Sequence, residues 1–252
     1  MPLCIAGMHR SGTSMISNLL YECGLYLGPE KDLLNANKWN AGGYWESRSF
    51  MDLNDDILTA LGGSWDCPPP MDTPGWENSA ILDRFRKQAC KLVRRFRRRE
   101  PWGWKDPRNS LTLPLWQSII PNLKVLICVR NPLAVAESVR ARDGMSLAAA
   151  FELWHTYNRR VLAAAPPESR FITHSESYLA NPQTELRRVL EWLGLGTTED
   201  RLERACARVK PELVHHRVTM DELVEAGASS ELVQCYQQLC DLASSDLAFA
   251  DH

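Results

Sequence analysis

Two glycines near the N-terminus, Gly7 and Gly12, constrain this chain more than any other feature. The loop Gly7-Met8-His9-Arg10-Ser11-Gly12-Thr13-Ser14 follows a short apolar run, Pro2-Leu3-Cys4-Ile5-Ala6, which reads as a buried strand. It precedes apolar residues at Met15, Ile16, Leu19 and Leu20, which is helical spacing over Ser14 to Cys23. A glycine loop between strand and helix turns backbone N–H groups toward one point. The helix N-terminus adds positive potential there, so an anion is favoured. The loop therefore reads as a phosphate cradle.

Gly7 and Gly12 keep the G-x-x-x-x-G spacing of the P-loop, but Thr13-Ser14 stands where that motif has Lys followed by Ser or Thr. The cation sits inside the loop, at Arg10. A nucleotide kinase needs its lysine on the β- and γ-phosphates and a hydroxyl on Mg²⁺. This loop keeps hydroxyls and backbone donors but moves the cation, which suits a 5′-phosphate bearing a leaving group.

The remaining pattern alternates. Trp102-Gly103-Trp104-Lys105, Lys124 to Val129 and Phe171-Ile172-Thr173 read as strands. Helical spacing covers 50–61, 79–99, 133–142, 146–164, 183–193 and the tail from about 219. Residues 28–50 and 62–79 are turn-rich, the second holding Pro68-Pro69-Pro70. The expectation is an α/β fold, a three-layer parallel β-sheet with helices on both faces and a P-loop NTPase-like order. One domain spans 1–252, with about 219–252 as a helical C-terminal extension.

Bulk properties exclude several classes. With net charge −2 there is no global pull toward nucleic acid or an anionic membrane. No run reaches the ~18 apolar residues of a membrane helix, and Arg10 interrupts the N-terminal run too early for a secretory signal. The eight cysteines form no C-x-x-C pair. Reduced thiols and cytoplasmic residence are expected. Histidines and cysteines lack metal-ligand spacing, so no metal is expected.

The motifs resemble those of the sulfotransferase family, whose members transfer a sulfuryl group from 3′-phosphoadenosine-5′-phosphosulfate (PAPS) to a hydroxyl or amine. His9-Arg10-Ser11-Gly12-Thr13-Ser14 resembles the family's 5′-phosphosulfate loop. Cytosolic members have lysine where this chain has Arg10, so the arginine form is similar to the bacterial and Golgi-type branches. Val125 to Pro132 followed by Ser138 resembles the 3′-phosphate element, in which an arginine at a strand end (here Arg130) and a serine eight residues on hold that phosphate. Trp104-Lys105-Asp106-Pro107-Arg108 resembles a turn of many bacterial members. Weaker echoes are Gly43-Tyr44-Trp45-Glu46, Asn181-Pro182 before a helix, and Val209-Lys210-Pro211-Glu212-Leu213. The glycine-rich C-terminal loop of cytosolic members is absent.

The resemblance implies PAPS as co-substrate, bound by His9, Arg10, Ser11, Gly12, Thr13, Ser14, Arg130 and Ser138. It also implies catalytic roles for Arg10 on the leaving group, Lys105 as a second cation, and Glu46 as base, with Asp106 as its rival. Either carboxylate has a structural reading, as turn former or helix starter. His9 is either a cofactor contact or a strand-end histidine, and His215-His216 falls near the nucleotide. The acceptor is a small molecule or glycan, met by loops 28–50 and 62–79 with their tryptophans, Trp39, Trp45, Trp65 and Trp76. A Mg²⁺-dependent kinase or NTPase, and a non-catalytic nucleotide-binding protein, are the competing classes.

One feature stays outside this scheme. Nine basic residues fall between Arg84 and Arg99: Arg84, Arg86, Lys87, Lys91, Arg94, Arg95, Arg97, Arg98 and Arg99. They read as a solvated helix face or as a steering surface for an anionic acceptor or acidic partner.

Overall fold

The apolar run Pro2–Ala6 forms β1, an inner strand of a four-stranded parallel sheet. β2 (Trp102–Lys105) and β3 (Lys124–Val129) flank it, and β4 (Arg170–His174) pairs with β3, giving the order β2-β1-β3-β4. The computed structural model describes residues 1–40, 42–71, 73–209 and 218–245. Its helices are α1 (Thr13–Glu22), α2 (Arg48–Ala60), α3 (Asp83–Phe96), α4 (Asn109–Ile119), α5 (Pro132–Asp143) and α6 (Leu147–Ala164). They continue with α7 (Ser175–Ala180), α8 (Pro182–Leu193), α9 (Glu199–Cys206), α10 (Met220–Glu225) and α11 (Ser230–Ser245).

Alternation along the strands builds two cores. Cys4, Ala6, Val125 and Ile127 face a layer made by α2 to α6 and α11. Leu3, Ile5, Leu126 and Cys128 face α1, α8 and α9. Strands buried on both faces need continuous apolar sequence, which Val125–Val129 supplies. The three-layer α/β architecture is thus the one expected.

Several boundaries differ from the sequence reading. The 79–99 segment is a 3₁₀ turn, Ala80–Leu82, followed by α3, which stops at Phe96. A further 3₁₀ turn, Trp76–Asn78, lies inside the 62–79 loop. α4, α7 and α9 have no counterpart in that reading. α4 is apolar or buried around most of its circumference and contains Pro114, so it shows no amphipathic stripe. α7 and α9 are too short for a clear period. The C-terminal helices are not an appendage. Leu223, Leu232, Tyr236 and Leu239 belong to the same core as β3, and α11 packs on β4 and α6. Most of the Val209-Lys210-Pro211-Glu212-Leu213 run, and His215-His216, lie outside the described residues.

Candidate active site

Because all strands run parallel, Gly7, Asp106, Arg130 and Ser175 follow β1 to β4 at one edge of the sheet. Open α/β sheets bind ligands in the crevice outside that carboxyl edge.

The cradle is built by its glycines. Gly7 has φ 136°, and a Cβ there would stand 2.3 Å from the Cys128 carbonyl oxygen. Its N–H donates to Ser110 Oγ at 2.9 Å. Gly12 has φ 82°, and a Cβ would meet Ser175 Cβ at 2.8 Å. Between them Arg10 itself adopts φ 69°, a conformation that non-glycine residues hold only under local constraint. Ser11 Oγ is buried with no hydrogen-bond partner among the described residues. Thr13 and Ser14 open α1, whose first turn carries no acidic residue.

Two arginines converge on this loop. Arg10 Nε donates to Ser138 Oγ at 2.8 Å and its Nη1 to the Trp39 carbonyl at 3.0 Å. Arg130 Nη1 donates to the Arg10 carbonyl at 3.2 Å. Ser138 lies on α5, which an Asn131 side-chain cap starts immediately after Arg130. Neither arginine has a carboxylate partner among the described residues. Burial, and then the charges of Arg142 and Arg130, lower Arg10 from its ordinary value. Like charges this close are relieved by an anion between them.

Lys105 and Glu46 form a buried pair, Nζ donating to Oε1 at 2.6 Å. Glu46 precedes α2, and Lys105 ends β2. Asp106 sits differently. Its Oδ1 accepts from the Arg108 N–H and Arg108 Nη1, both at 3.0 Å, and its Oδ2 from Asn54 Nδ2 at 2.8 Å. It is completely buried. Arg108 also donates to Asp55, and these two carboxylates raise the Arg108 guanidinium above its ordinary value even though burial opposes them.

Asn54 ties this corner together. Beyond Asp106 it donates to Asn109 Oδ1 at 3.0 Å and accepts from Thr112 Oγ1 and Trp116 Nε1. Asn109 in turn accepts from Trp104 Nε1 and donates to the Ile5 carbonyl. Asn54→Ala strands several buried groups at once, each costing about 1–3 kcal/mol. We expect a net loss of roughly 3 kcal/mol, a Tm drop of about 6–12 °C in thermal denaturation. An unchanged Tm would show that the network carries no stability.

His9 is buried against Trp65 (ring centroids 4.6 Å apart) and Tyr157 (5.9 Å), with Nε2 unpartnered among the described residues. Tyr157 O–H holds the Trp65 carbonyl at 2.7 Å. Burial first, then Arg108, Arg142, Lys105 and Arg10, holds the His9 imidazole well below its ordinary value. The unfolded chain protonates this histidine near pH ~6.5, the folded chain only at lower pH. Stability from His9 is therefore complete above that pH and falls as pH drops below it. His9→Gln should flatten the urea midpoint between about pH 5 and 6.5. A midpoint profile parallel to the parent's would contradict this.

The structure thus brings Arg10, Ser11, Gly12, Thr13, Ser14, Arg130 and Ser138 together, with the Lys105–Glu46 pair at the end of the neighbouring strand. Sequence reasoning missed Ser110, Asn54, Ser175 and Tyr157. The first two carried a faint signal, since a serine after the Asp-Pro-Arg-Asn turn and an asparagine on the apolar face of α2 are both polar residues among buried neighbours. Among the described residues no group of three His, Cys, Asp or Glu side chains could hold a metal, and no helix is long and apolar enough to cross a membrane.

Fold and site together define an α/β protein with an anion cradle at the carboxyl edge of its sheet. A family model described as "Sulfotransferase family" matches residues 2–200, and the chain belongs to the sulfotransferase family. The sulfotransferase domain from the curacin biosynthetic pathway is similar with a TM-score of 0.58 at 18% identity, covering 95% of this chain and 98% of that one. The sulfotransferase domain from the Synechococcus PCC 7002 olefin synthase gives 0.56 at 18% identity, covering 95% and 94%. Sulfotransferase STF9 from Mycobacterium avium gives 0.55 at 16% identity, covering 95% and 76%. At these identities the likeness is one of fold. Comparison with curated protein sequences gives no match.

Proposed function

We propose that this chain transfers a sulfuryl group from PAPS to the hydroxyl of a small-molecule or glycan acceptor. The observation that carries this reading is the convergence of Arg10 and Arg130 on the glycine cradle, without carboxylate partners among the described residues, beside the buried Ser11 hydroxyl. One phosphate needs the cradle and Arg10; a second needs Arg130 and Ser138. A nucleotide phosphorylated at both the 5′ and 3′ positions satisfies both.

In this reading Glu46 accepts the proton of the acceptor hydroxyl as its oxygen bonds to sulfur. The S–O bond to the 5′-phosphate breaks, and its electron pair settles on a phosphate oxygen held by Arg10 and the loop N–H groups. Lys105 fixes the Glu46 carboxylate through Oε1 and adds positive charge to the cleft. Asp106 is an unsuitable base, since both its oxygens are taken and it is fully buried. His9, held neutral, walls the cleft with Trp65. The experiment is a screen of hydroxyl acceptors with sulfur-labelled PAPS and a metal chelator. Label should pass to an O-sulfate with an equal yield of 3′-phosphoadenosine-5′-phosphate (PAP). PAP release that no acceptor accelerates above spontaneous hydrolysis contradicts the assignment.

A further inference from the structure

The basic segment that the catalytic scheme leaves unused has a definite geometry. α3 turns Phe85, Ala89, Leu92, Val93 and Phe96 into the core. Arg84, Lys87, Lys91, Arg94 and Arg95 recur at helical spacing on the opposite side, and all are exposed. At 1.5 Å per residue they form a stripe about 17 Å long, which Arg97, Arg98 and Arg99 extend past the helix end. Of the nine cations only Arg86 has a carboxylate partner among the described residues, Asp83 on the same helix. Arg84 and Arg99 lie over the rings of Phe85 and Tyr26 instead.

Two more observations bear on what this face meets. Positive charge is concentrated on this segment. The 84–99 segment holds nine basic residues and no acidic one, in a chain whose net charge is −2. α10 and α11, on the β4 side, hold Asp221, Glu222, Glu225, Glu231 and Asp241 with no Lys or Arg. An extended negative surface is attracted to the α3 face. The second is Ile81, one of the few large apolar side chains that stand exposed among the described residues, at 54%. It lies in the 3₁₀ turn that leads directly into α3, three residues before the first cation of the stripe.

We infer that α3 docks this protein peripherally on an anionic phospholipid bilayer, its cations on the headgroup phosphates and Ile81 at the interface. The apolar face of α3 is already spent on the core, so the helix cannot insert; attraction is Coulombic, with one shallow apolar contact. A nucleic acid would use the cations equally but has no apolar layer for Ile81, and an acidic protein groove would have to match the whole stripe with its own carboxylates, whereas a bilayer supplies an extended anionic surface with an apolar layer beneath it. The lipid surface is the occupant that accounts for both.

The test is co-sedimentation of the full chain with phosphatidylcholine vesicles containing either no anionic lipid or about 30% phosphatidylserine. Binding is expected only to the anionic vesicles and should be lost in about 0.5 M NaCl. Each removed cation should lower the partition coefficient about fivefold, so Lys91→Gln/Arg94→Gln/Arg95→Gln should cost about a hundredfold. Lys91→Arg/Arg94→Lys/Arg95→Lys keeps the charge and should bind as the parent does. Ile81→Ser should weaken binding several-fold while leaving the salt dependence intact. All three variants sit on the surface, and an unchanged Tm verifies that they fold. Equal binding to neutral vesicles, no binding to anionic ones, or tight binding to heparin or RNA with none to vesicles would each overturn the proposal.

Discussion

Glu46→Gln should lower turnover by about 10²–10⁴-fold while leaving PAP affinity within a few-fold of the parent. The substitution keeps the side chain's shape, and its amide oxygen can still accept from Lys105 Nζ, now 2.6 Å from Glu46 Oε1. What it removes is the carboxylate that the proposed mechanism uses to take a proton from the acceptor hydroxyl. Lys105 would then stand buried beside a neutral amide. Some loss of stability is expected as well, since unpairing a buried ion is costly. The check is therefore made on folded protein, with kcat and PAP binding measured on the same sample. Full activity in Glu46→Gln would take the base role from Glu46.

Arg130→Ala should act on binding rather than on the chemical step. Charge-assisted bonds to a phosphate are worth about 1.5–3 kcal/mol each, so losing the guanidinium should weaken PAP by roughly a hundredfold. Adenosine 5′-phosphate lacks the 3′-phosphate and should lose little. The selectivity between the two nucleotides is the informative readout. Arg130 also donates to the Arg10 carbonyl, so a general loosening of the cradle would weaken both nucleotides alike. Equal losses would mean that Arg130 shapes the loop and does not read the 3′-phosphate. Ser138→Ala should act in the same direction but more weakly, since it removes one neutral hydroxyl.

The legibility of this chain follows from where its information is local. The cradle was readable because a strand, a glycine loop and a helix are consecutive, and because Gly7 and Gly12 answer steric demands that only glycine meets. The buried strands were readable because Val125–Val129 is apolar without interruption. The pairing of Lys105 with Glu46 was not, since it joins residues far apart in sequence through the packing of α2 against the end of β2. Asp106 shows the same limit. Its position invited a catalytic reading, and only the Asn54 and Arg108 contacts reveal how fully it is engaged. α4 escaped notice for another reason, because a helix buried nearly all round carries no periodic contrast. The C-terminal helices were visible as helices, but nothing local told that α11 closes the core over β4.

The central claim is that cradle, Arg10, Arg130 and Ser138 form a site for a nucleotide carrying both 5′ and 3′ phosphates, independent of metal. Thermal unfolding with PAP in chelator, compared with ATP and Mg²⁺, tests it most directly. Ligand binding to the folded state at about a hundred times Kd adds roughly 2.7 kcal/mol and raises Tm by several degrees. The account predicts that rise with PAP and none with ATP and Mg²⁺. Stabilisation by ATP and Mg²⁺, with none by PAP, would contradict it.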